Sequence, residues 1–292
     1  MPDAKDFQLD HALVRRRFAS RAASVAKADF LAREVSSRMA ERLDYIRLEP
    51  RRILDLGCGH GADLPMLAAR YPQATHIGLD FALPLLKQAQ PERSFMQRLL
   101  GQKPGPQLVC ADAHQLPLAR GSVQLVWSNL LLNWLTDPLP AIRECHRVLE
   151  VGGLLMFATL GPDTLKELRA ILPGHAGERV HRFIDMHDIG DCLVQAGFAD
   201  PVMDMQTITL TYTGIDPLIR DLRASASSNA AKARPAGLSG KAGWRSARDA
   251  ALQAQVDGRL PATFELVFGH AWKVAPKQIE DGRAVIQFRN RQ

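Results

Sequence analysis

Between Arg51 and Leu160 short apolar runs alternate with amphipathic stretches, and this alternation limits the fold more than any other feature of the chain. R-R-I-L-D-L reads as a strand that ends in a glycine turn, and A-D-L-P-M-L-A-A-R-Y as a helix with Pro65 tolerated in its first turn. T-H-I-G-L-D, P-Q-L-V-C-A-D, S-V-Q-L-V-W-S-N and G-G-L-L-M-F-A-T-L read as further strands, with helices at L-P-L-L-K-Q-A and A-I-R-E-C-H-R-V-L. Buried strands separated by helices predict an open parallel α/β sheet. Ligands of such sheets bind beyond the carboxyl ends of the strands, at the switch point of the strand order.

The flanks read differently. Residues 10–45 carry helical periodicity, with Phe18, Val25, Phe30, Val35 and Met39 as candidate core positions. After Leu160, helices are expected at 163–172 and 187–196, followed by the alternating strand V-M-D-M-Q-T-I-T-L-T-Y. A stretch rich in Ala, Ser, Gly and basic residues then precedes a last strand, T-F-E-L-V-F-G-H-A-W. The two β segments read as sheet neighbours, so the stretch between them, about 214–260, is expected as an insertion. The expected organisation is one domain over 1–292: a helical cap at 1–50, a cofactor-binding core at 51–160 and a substrate-side half at 161–292.

Composition narrows the setting. No run approaches the roughly 18 apolar residues of a membrane span, and M-P-D-A-K-D-F-Q-L-D has no apolar stretch of the secretory type. Cys58, Cys110, Cys145 and Cys192 lie far apart with no C-x-x-C pair, so neither a disulfide framework nor a zinc site is expected. A cytoplasmic location follows as the expectation. The net charge of +6 suits an acidic partner. It is unevenly placed: Arg15, Arg16, Arg17 and Arg21 cluster early, and residues 220–248 hold seven basic residues against one acid, Asp221.

The glycine turn, D-L-G-C-G-H-G-A, also satisfies the dinucleotide pattern G-x-G-x-x-G/A at Gly57, Gly59 and Ala62. Asp55 argues against a dinucleotide, because a carboxylate before the glycines would oppose a pyrophosphate and would welcome a cation. Asp80 ends the second strand, placed to accept from ribose hydroxyls, and Asp112 ends the third, beside the expected adenine position. Each acid alone could be a turn or cap residue; the three together point to a nucleoside that carries positive charge.

This constellation resembles the class I S-adenosylmethionine-dependent methyltransferases. The resemblance implies a Rossmann-like class I fold, a mostly parallel seven-stranded sheet with an N-terminal helical cap and a helical insertion before the last strand. It implies S-adenosylmethionine as cofactor, with Asp55, Gly57, Cys58, Gly59, Gly61, Asp80, Phe81, Asp112, Ala113 and Asn129 as cofactor-binding candidates, and no metal. Methyl transfer from a sulfonium needs the reacting atoms held in line, and a base only when the acceptor carries a proton. The fourth strand ends W-S-N-L-L-L-N-W, without the N-P-P-[YF] signature of amine methylation on nucleic acid and without a Pro-Cys nucleophile. No Ser/His or Lys base stands in its place, which fits an acceptor already ionised, such as a carboxylate, and leaves no catalytic side chain assigned.

V-R-R-R-F-A-S-R-A-A-S, W-S-N-L-L-L-N-W, R-V-L-x-x-G-G and G-P-D-T-L-K-E-L-R together resemble the malonyl-acyl-carrier-protein O-methyltransferases of biotin synthesis, over about residues 12–275. That family implies methylation of the free carboxylate of a malonyl thioester, on acyl carrier protein or coenzyme A, beneath a helical lid. Arg15, Arg21, Trp134, Arg220 and Arg223 are the corresponding substrate and carrier candidates, the carrier protein being acidic. Family members usually carry a tyrosine after R-A-A, where this chain has Ser24 and Val25. G-P-D-T-L-K-E-L-R, D-L-R-A-S-A-S-S-N and L-P-A-T-F-E-L also resemble a methyltransferase-like assembly factor of respiratory complex I, described as an arginine hydroxylase. His181, His187 and Asp185 do not have a convincing metal-ligand spacing for such an oxygenase. A non-catalytic S-adenosylmethionine-binding protein and a nucleic-acid methyltransferase are the remaining readings; the second lacks any appended RNA-binding module.

Overall fold

The structure is a computed structural model that describes residues 7–90, 105–172, 179–235 and 240–275. Its elements run α1 (His11–Ser20), α2 (Ala22–Val25), α3 (Phe30–Arg42), β1 (Arg52–Leu56), α4 (Leu64–Arg70), β2 (Thr75–Asp80), α5 (Leu83–Ala89), β3 (Gln107–Cys110) and β4 (Val123–Asn129). They continue with α6 (Leu139–Val148), β5 (Leu149–Leu160), α7 (Lys166–Ile171), α8 (Met186–Ala196), β6 (Ala199–Tyr212), α9 (Ile215–Ala224), α10 (Gly240–Gln253) and β7 (Leu260–Trp272).

The strands form one seven-stranded sheet in the order β3-β2-β1-β4-β5-β7-β6. β1 to β5 pair in parallel, and β7 runs antiparallel to both β5 and β6. This is the Rossmann-like methyltransferase arrangement expected from the sequence. The order reverses between β1 and β4, so the crevice at the switch point is bordered by the glycine turn after β1 and by Asn129 at the end of β4.

Strand alternation sends successive side chains to opposite layers. Ile53, Leu125, Trp127, Leu154 and Met156 pack on one face with Val35 and Met39 of α3 and with Leu168, Leu218 and Ala247. Leu54, Leu56, Val126, Leu155 and Phe157 face the other way, onto Ile142 and Val148 of α6 and Leu193 of α8. Trp127 and Phe157 are essentially fully buried, and each such side chain stabilises the fold by about 2–3 kcal/mol. Asp55 belongs to the same face as Ile53 and is in register with Trp127, so a carboxylate enters an otherwise apolar layer.

A helical segment is inserted before the last strand. Tyr212 pairs with Leu260 across β6 and β7, and α9 and α10 leave and re-enter the sheet between them; residues 236–239 of the insertion lie outside the described residues. The periodicity over 10–45 is not one helix. It breaks at Arg21 and again at 26–29, giving α1, α2 and α3. Val35 and Met39 are core as expected, whereas Phe18, Val25 and Phe30 line a cavity instead. The helix expected at 163–172 is shorter, because Leu165 adopts a left-handed backbone (φ 57°) before α7 begins. Asp163 N donates to Glu265 Oε2 at 2.7 Å and Leu165 N to the Thr263 carbonyl at 2.7 Å, so this turn is bonded to β7 as well as to itself.

Candidate active site

The glycine turn is built by its backbone. Gly57 N and Cys58 N both donate to the Leu79 carbonyl, at 2.8 and 3.1 Å, which folds the turn back onto β2. Gly57 has φ +80°, and a Cβ there would lie 2.8 Å from Leu131 Cδ1; only glycine satisfies both conditions. Asp80 completes the turn. Its Oδ2 accepts from Gly59 N at 3.0 Å and its Oδ1 from Ala82 N at 2.7 Å. One carboxylate at the end of β2 thus holds the glycine turn and the start of α5 together. A carboxylate has about four acceptor positions, so both oxygens keep capacity for a ligand hydroxyl.

Behind the turn lie two further carboxylates. Asp55 is buried, its Oδ2 has no hydrogen-bond partner, and burial together with nearby Asp63 and Asp80 pushes its carboxyl well above the usual range. Asp63 is buried as well, and burial raises its carboxyl too, opposed by the donors around it. Its Oδ2 accepts from Trp127 Nε1 at 2.8 Å and from Asn129 Nδ2 at 3.1 Å. Asn129 Nδ2 also donates to the Ala32 carbonyl at 2.9 Å, while Asn129 Oδ1 is buried without a partner. Two orphaned acceptors therefore sit among three acids, and buried polar groups are rarely left so.

These groups border a cavity of about 360 Å³. Its acid end is formed by Asp55, Asp63, Asp80 and Asn129. Leu160, Leu165, Leu168, Ile219, Leu222 and Phe264 supply an apolar wall. Phe18 packs edge-on against Phe81 and Trp134, with ring centroids 6.0 and 5.3 Å apart, and Phe81 and Trp134 also border a second cavity of about 390 Å³. The second is lined by Phe81, Cys110, Asp112, Ala113 and Trp134, with Arg15 of α1 at its edge. His181 lies in the first cavity's wall, held by Nε2 donating to the Asn133 carbonyl at 2.9 Å; burial lowers it to about 4, so the ring is neutral with an unprotonated, buried Nδ1.

Residues 54–157 match the family described as a methyltransferase domain. Curated relatives extend the match: a malonyl-[acyl-carrier protein] O-methyltransferase of Laribacter hongkongensis is 48% identical over 97% of both chains. One from Gallionella capsiferriformans is 47% identical, again over 97% of both. The chain belongs to the malonyl-[acyl-carrier protein] O-methyltransferase family. Among solved structures, the YcgJ protein of Bacillus subtilis aligns with TM-score 0.55 at 15% identity, over 81% of this chain and 98% of its own. The [4+2]-cyclase SpnF aligns with TM-score 0.51 at 18% identity, over 83% and 82%. A fold shared with a cyclase does not decide the reaction; the relatives do, and they favour the methyltransferase reading over the assembly-factor one.

The cofactor of a methyltransferase of this family is S-adenosylmethionine, and the cavity residues fit it. An orphaned carboxylate oxygen and an orphaned amide oxygen suit a group that brings both positive charge and N–H donors, which a dinucleotide phosphate does not. Asp55, Gly57, Cys58, Gly59, Asp80, Phe81 and Asn129 come together around the first cavity. Asp112 and Ala113 line the second, where Asp112 Oδ1 is already engaged by His114 N and Nδ1 at 2.8 and 2.7 Å. Gly61 lines neither; it makes room, since a Cβ there would lie 2.9 Å from Ala89 Cβ.

The substrate candidates divide. Trp134 borders both cavities and Arg223 the first. Arg21 donates from its guanidinium to the Arg223 carbonyl and lies outside both cavity linings. Arg220 is exposed and lies outside both cavity linings. Ser24 Oγ donates to the Ala224 carbonyl at 2.9 Å, tying α2 to the end of α9. Asp185 caps α8 by accepting from His187 N at 2.8 Å, and His181 bonds elsewhere, so these three residues do not converge. Asp63, Trp127, Asp29 and His60 were not among the sequence candidates. A tryptophan inside a buried strand needs a buried acceptor, and that requirement was the available signal for Asp63.

Proposed function

We propose that this protein transfers the methyl group of S-adenosylmethionine to the free carboxylate of a malonyl thioester carried on acyl carrier protein. The observation that carries the reading is the division of one cavity into an acidic, acceptor-rich end and an apolar wall. Bound at the acidic end, S-adenosylmethionine supplies an activated methyl group on a sulfonium. Asp55 and Asn129 would accept from its ammonium, Asp80, which holds the glycine turn, would accept from ribose hydroxyls, and Phe81, Asp112 and Ala113 would border the adenine. The apolar wall strips water from the acceptor carboxylate, which raises its nucleophilicity, and holds it in line with the methyl group. A carboxylate is already ionised at neutral pH, so the neutral His181 has no proton to remove. Arg179 and Arg223 line the same cavity and supply positive charge toward the malonyl group.

Acyl carrier protein is the acidic partner of this reading. Arg15 and Arg16 of α1, Arg220 and Arg223 of α9, and Lys241 and Arg245 of α10 are exposed. The two basic stretches of the sequence are joined in space: Arg17 Nη1 donates to the Ser228 and Asn229 carbonyls at 2.6 and 2.7 Å, and Arg234 pairs with Asp10 at 3.2 Å. Arg17 and Arg234 therefore hold α1 against the insertion, and Arg248 is paired with Asp216 at 2.8 Å, leaving the exposed cations for docking. Complementary charge of this kind mainly raises the encounter rate.

The test is transfer of labelled methyl from S-adenosylmethionine to malonyl-acyl carrier protein beside acetyl-acyl carrier protein and malonyl-coenzyme A. Label on the malonyl forms alone supports the carboxylate as acceptor, and a preference for the carrier protein that fades with salt supports the docking face. No transfer by protein that binds the cofactor overturns the reading. Complementation of a strain blocked at malonyl methylation gives the same answer in cells.

A further inference from the structure

Asp63 occupies the N-cap position of α4, yet its side chain makes no cap hydrogen bond. An aspartate at that position ordinarily stabilises a helix by accepting from the N–H groups of its first turn. Here the carboxylate turns away and is held from two directions besides its own helix: by Trp127 and Asn129 of β4, and by Ser36 of α3. Each of these groups donates, so the carboxylate is used only as an acceptor, the pattern of its ionised form. Asp55, by contrast, has no donor at Oδ2. Of two neighbouring buried acids, the one with donors ionises more readily, so Asp63 takes up negative charge more easily than Asp55 does.

The same bond fixes Asn129. Its Nδ2 meets two acceptors, Asp63 Oδ2 and the Ala32 carbonyl, so the amide has one favourable orientation and its Oδ1 is the atom left unpartnered in the cavity. We propose that Asp63 is a positioning residue of the donor pocket: it presents the Asn129 carbonyl oxygen to the cavity and supplies buried negative charge that favours the sulfonium donor over its uncharged thioether product. The proposal rests on the reading of this cavity as the methyl-donor site. Weaker product inhibition is the functional consequence, since a pocket that prefers the cation holds the spent, uncharged cofactor less tightly.

The variant is Asp63→Asn, and the readout is the ratio of dissociation constants for S-adenosylhomocysteine and S-adenosylmethionine by titration calorimetry. An amide at 63 offers a donor as well as an acceptor, so Asn129 is free to invert and the charge is gone. The expected result is a loss of about tenfold or more in S-adenosylmethionine affinity with less than about threefold for the product, so that the ratio collapses. Equal losses for both ligands, as a merely structural role would give, overturn the proposal. Trp127→Phe removes one donor and keeps the charge; a ratio that collapses equally in this variant also overturns it.

Ser36→Ala keeps the test open should Asp63→Asn fail to fold. With one donor fewer, Asp63 ionises less readily, among neighbours Asp55 on β1, Asp80 on β2 and His60 on the glycine turn. The donor-over-product preference should then begin to fall at a higher pH than in the unsubstituted protein; an unchanged pH profile overturns the proposal. Unsubstituted protein that bound neither ligand would instead overturn the reading of the cavity itself.

Discussion

His60 Nε2 lies 3.1 Å from Asp29 Oδ2, a contact that ties the glycine turn to the foot of α3 across the cavity wall. Asp29 is held on its other side by Arg33, whose Nε donates to Oδ1 at 2.7 Å. Burial by itself would raise the Asp29 carboxyl, and the Arg33 and His60 partners outweigh it to hold the group below its ordinary value. The helical cap and the cofactor turn are thus coupled through one buried carboxylate. Asp29→Asn keeps the shape and removes the charge, and we expect S-adenosylmethionine to bind about tenfold more weakly, which corresponds to roughly 1.4 kcal/mol. Unchanged affinity in calorimetry would show that the contact does not bear on the cavity.

Asp80 carries two backbone donors, Gly59 N and Ala82 N, on its two oxygens. Asp80→Ala leaves both N–H groups without their acceptor, at a cost of roughly 1–3 kcal/mol each. The expected outcome is a lowered thermal midpoint together with loss of cofactor binding. Asp80→Asn, which retains one carbonyl acceptor, should fall between the two. A variant that keeps full stability would refute the view that this side chain builds the turn.

Much of this arrangement is legible in the sequence because parallel strands buried on both faces read as apolar runs, and β1 to β5 were delimited by their glycine and proline boundaries. Asp55 and Asp80 are legible for a local reason: each ends or interrupts a strand beside the glycine turn. Asp63 is not, since its spacing is that of an ordinary helix cap, and its role depends on Trp127 and Asn129, far along the chain. Phe18, Val25 and Phe30 have the period of core residues, yet the breaks at Arg21 and at 26–29 turn them onto the cavity. The basic clusters at 15–21 and 220–248 look alike as sequence. Only the contacts of Arg17, Arg21, Arg234 and Arg248 separate cations that hold the insertion from those left exposed.

His181 gives a pH dependence of stability. Its folded value of about 4 lies below the ordinary 6.5, so between these values the unfolded chain binds the extra proton and the folded protein does not. Stability therefore rises with pH across that window and is lost as pH falls from 6.5 toward 4, by about 3 kcal/mol in full. His181→Gln should flatten this part of the profile in denaturant titrations at a series of pH values. An equally steep profile in the variant would place the dependence elsewhere.

Asp55 titrates in the opposite sense. Burial and the adjacent Asp63 and Asp80 push its carboxyl well above the ordinary 3.8, so the free protein favours the protonated form, and the fold loses stability as pH rises through that raised value. A cationic ligand reverses the balance, because positive charge beside Asp55 favours its ionised form. Binding of S-adenosylmethionine should therefore release up to about one proton, and affinity should increase with pH until the free-state value is passed. Calorimetry in two buffers of different ionisation enthalpy measures the release directly: the observed heat should differ between them, and the difference should vanish in Asp55→Asn. The uncharged thioether product brings less positive charge and should release fewer protons. Equal heats in both buffers for the unsubstituted protein would mean that Asp55 is already ionised before the cofactor arrives.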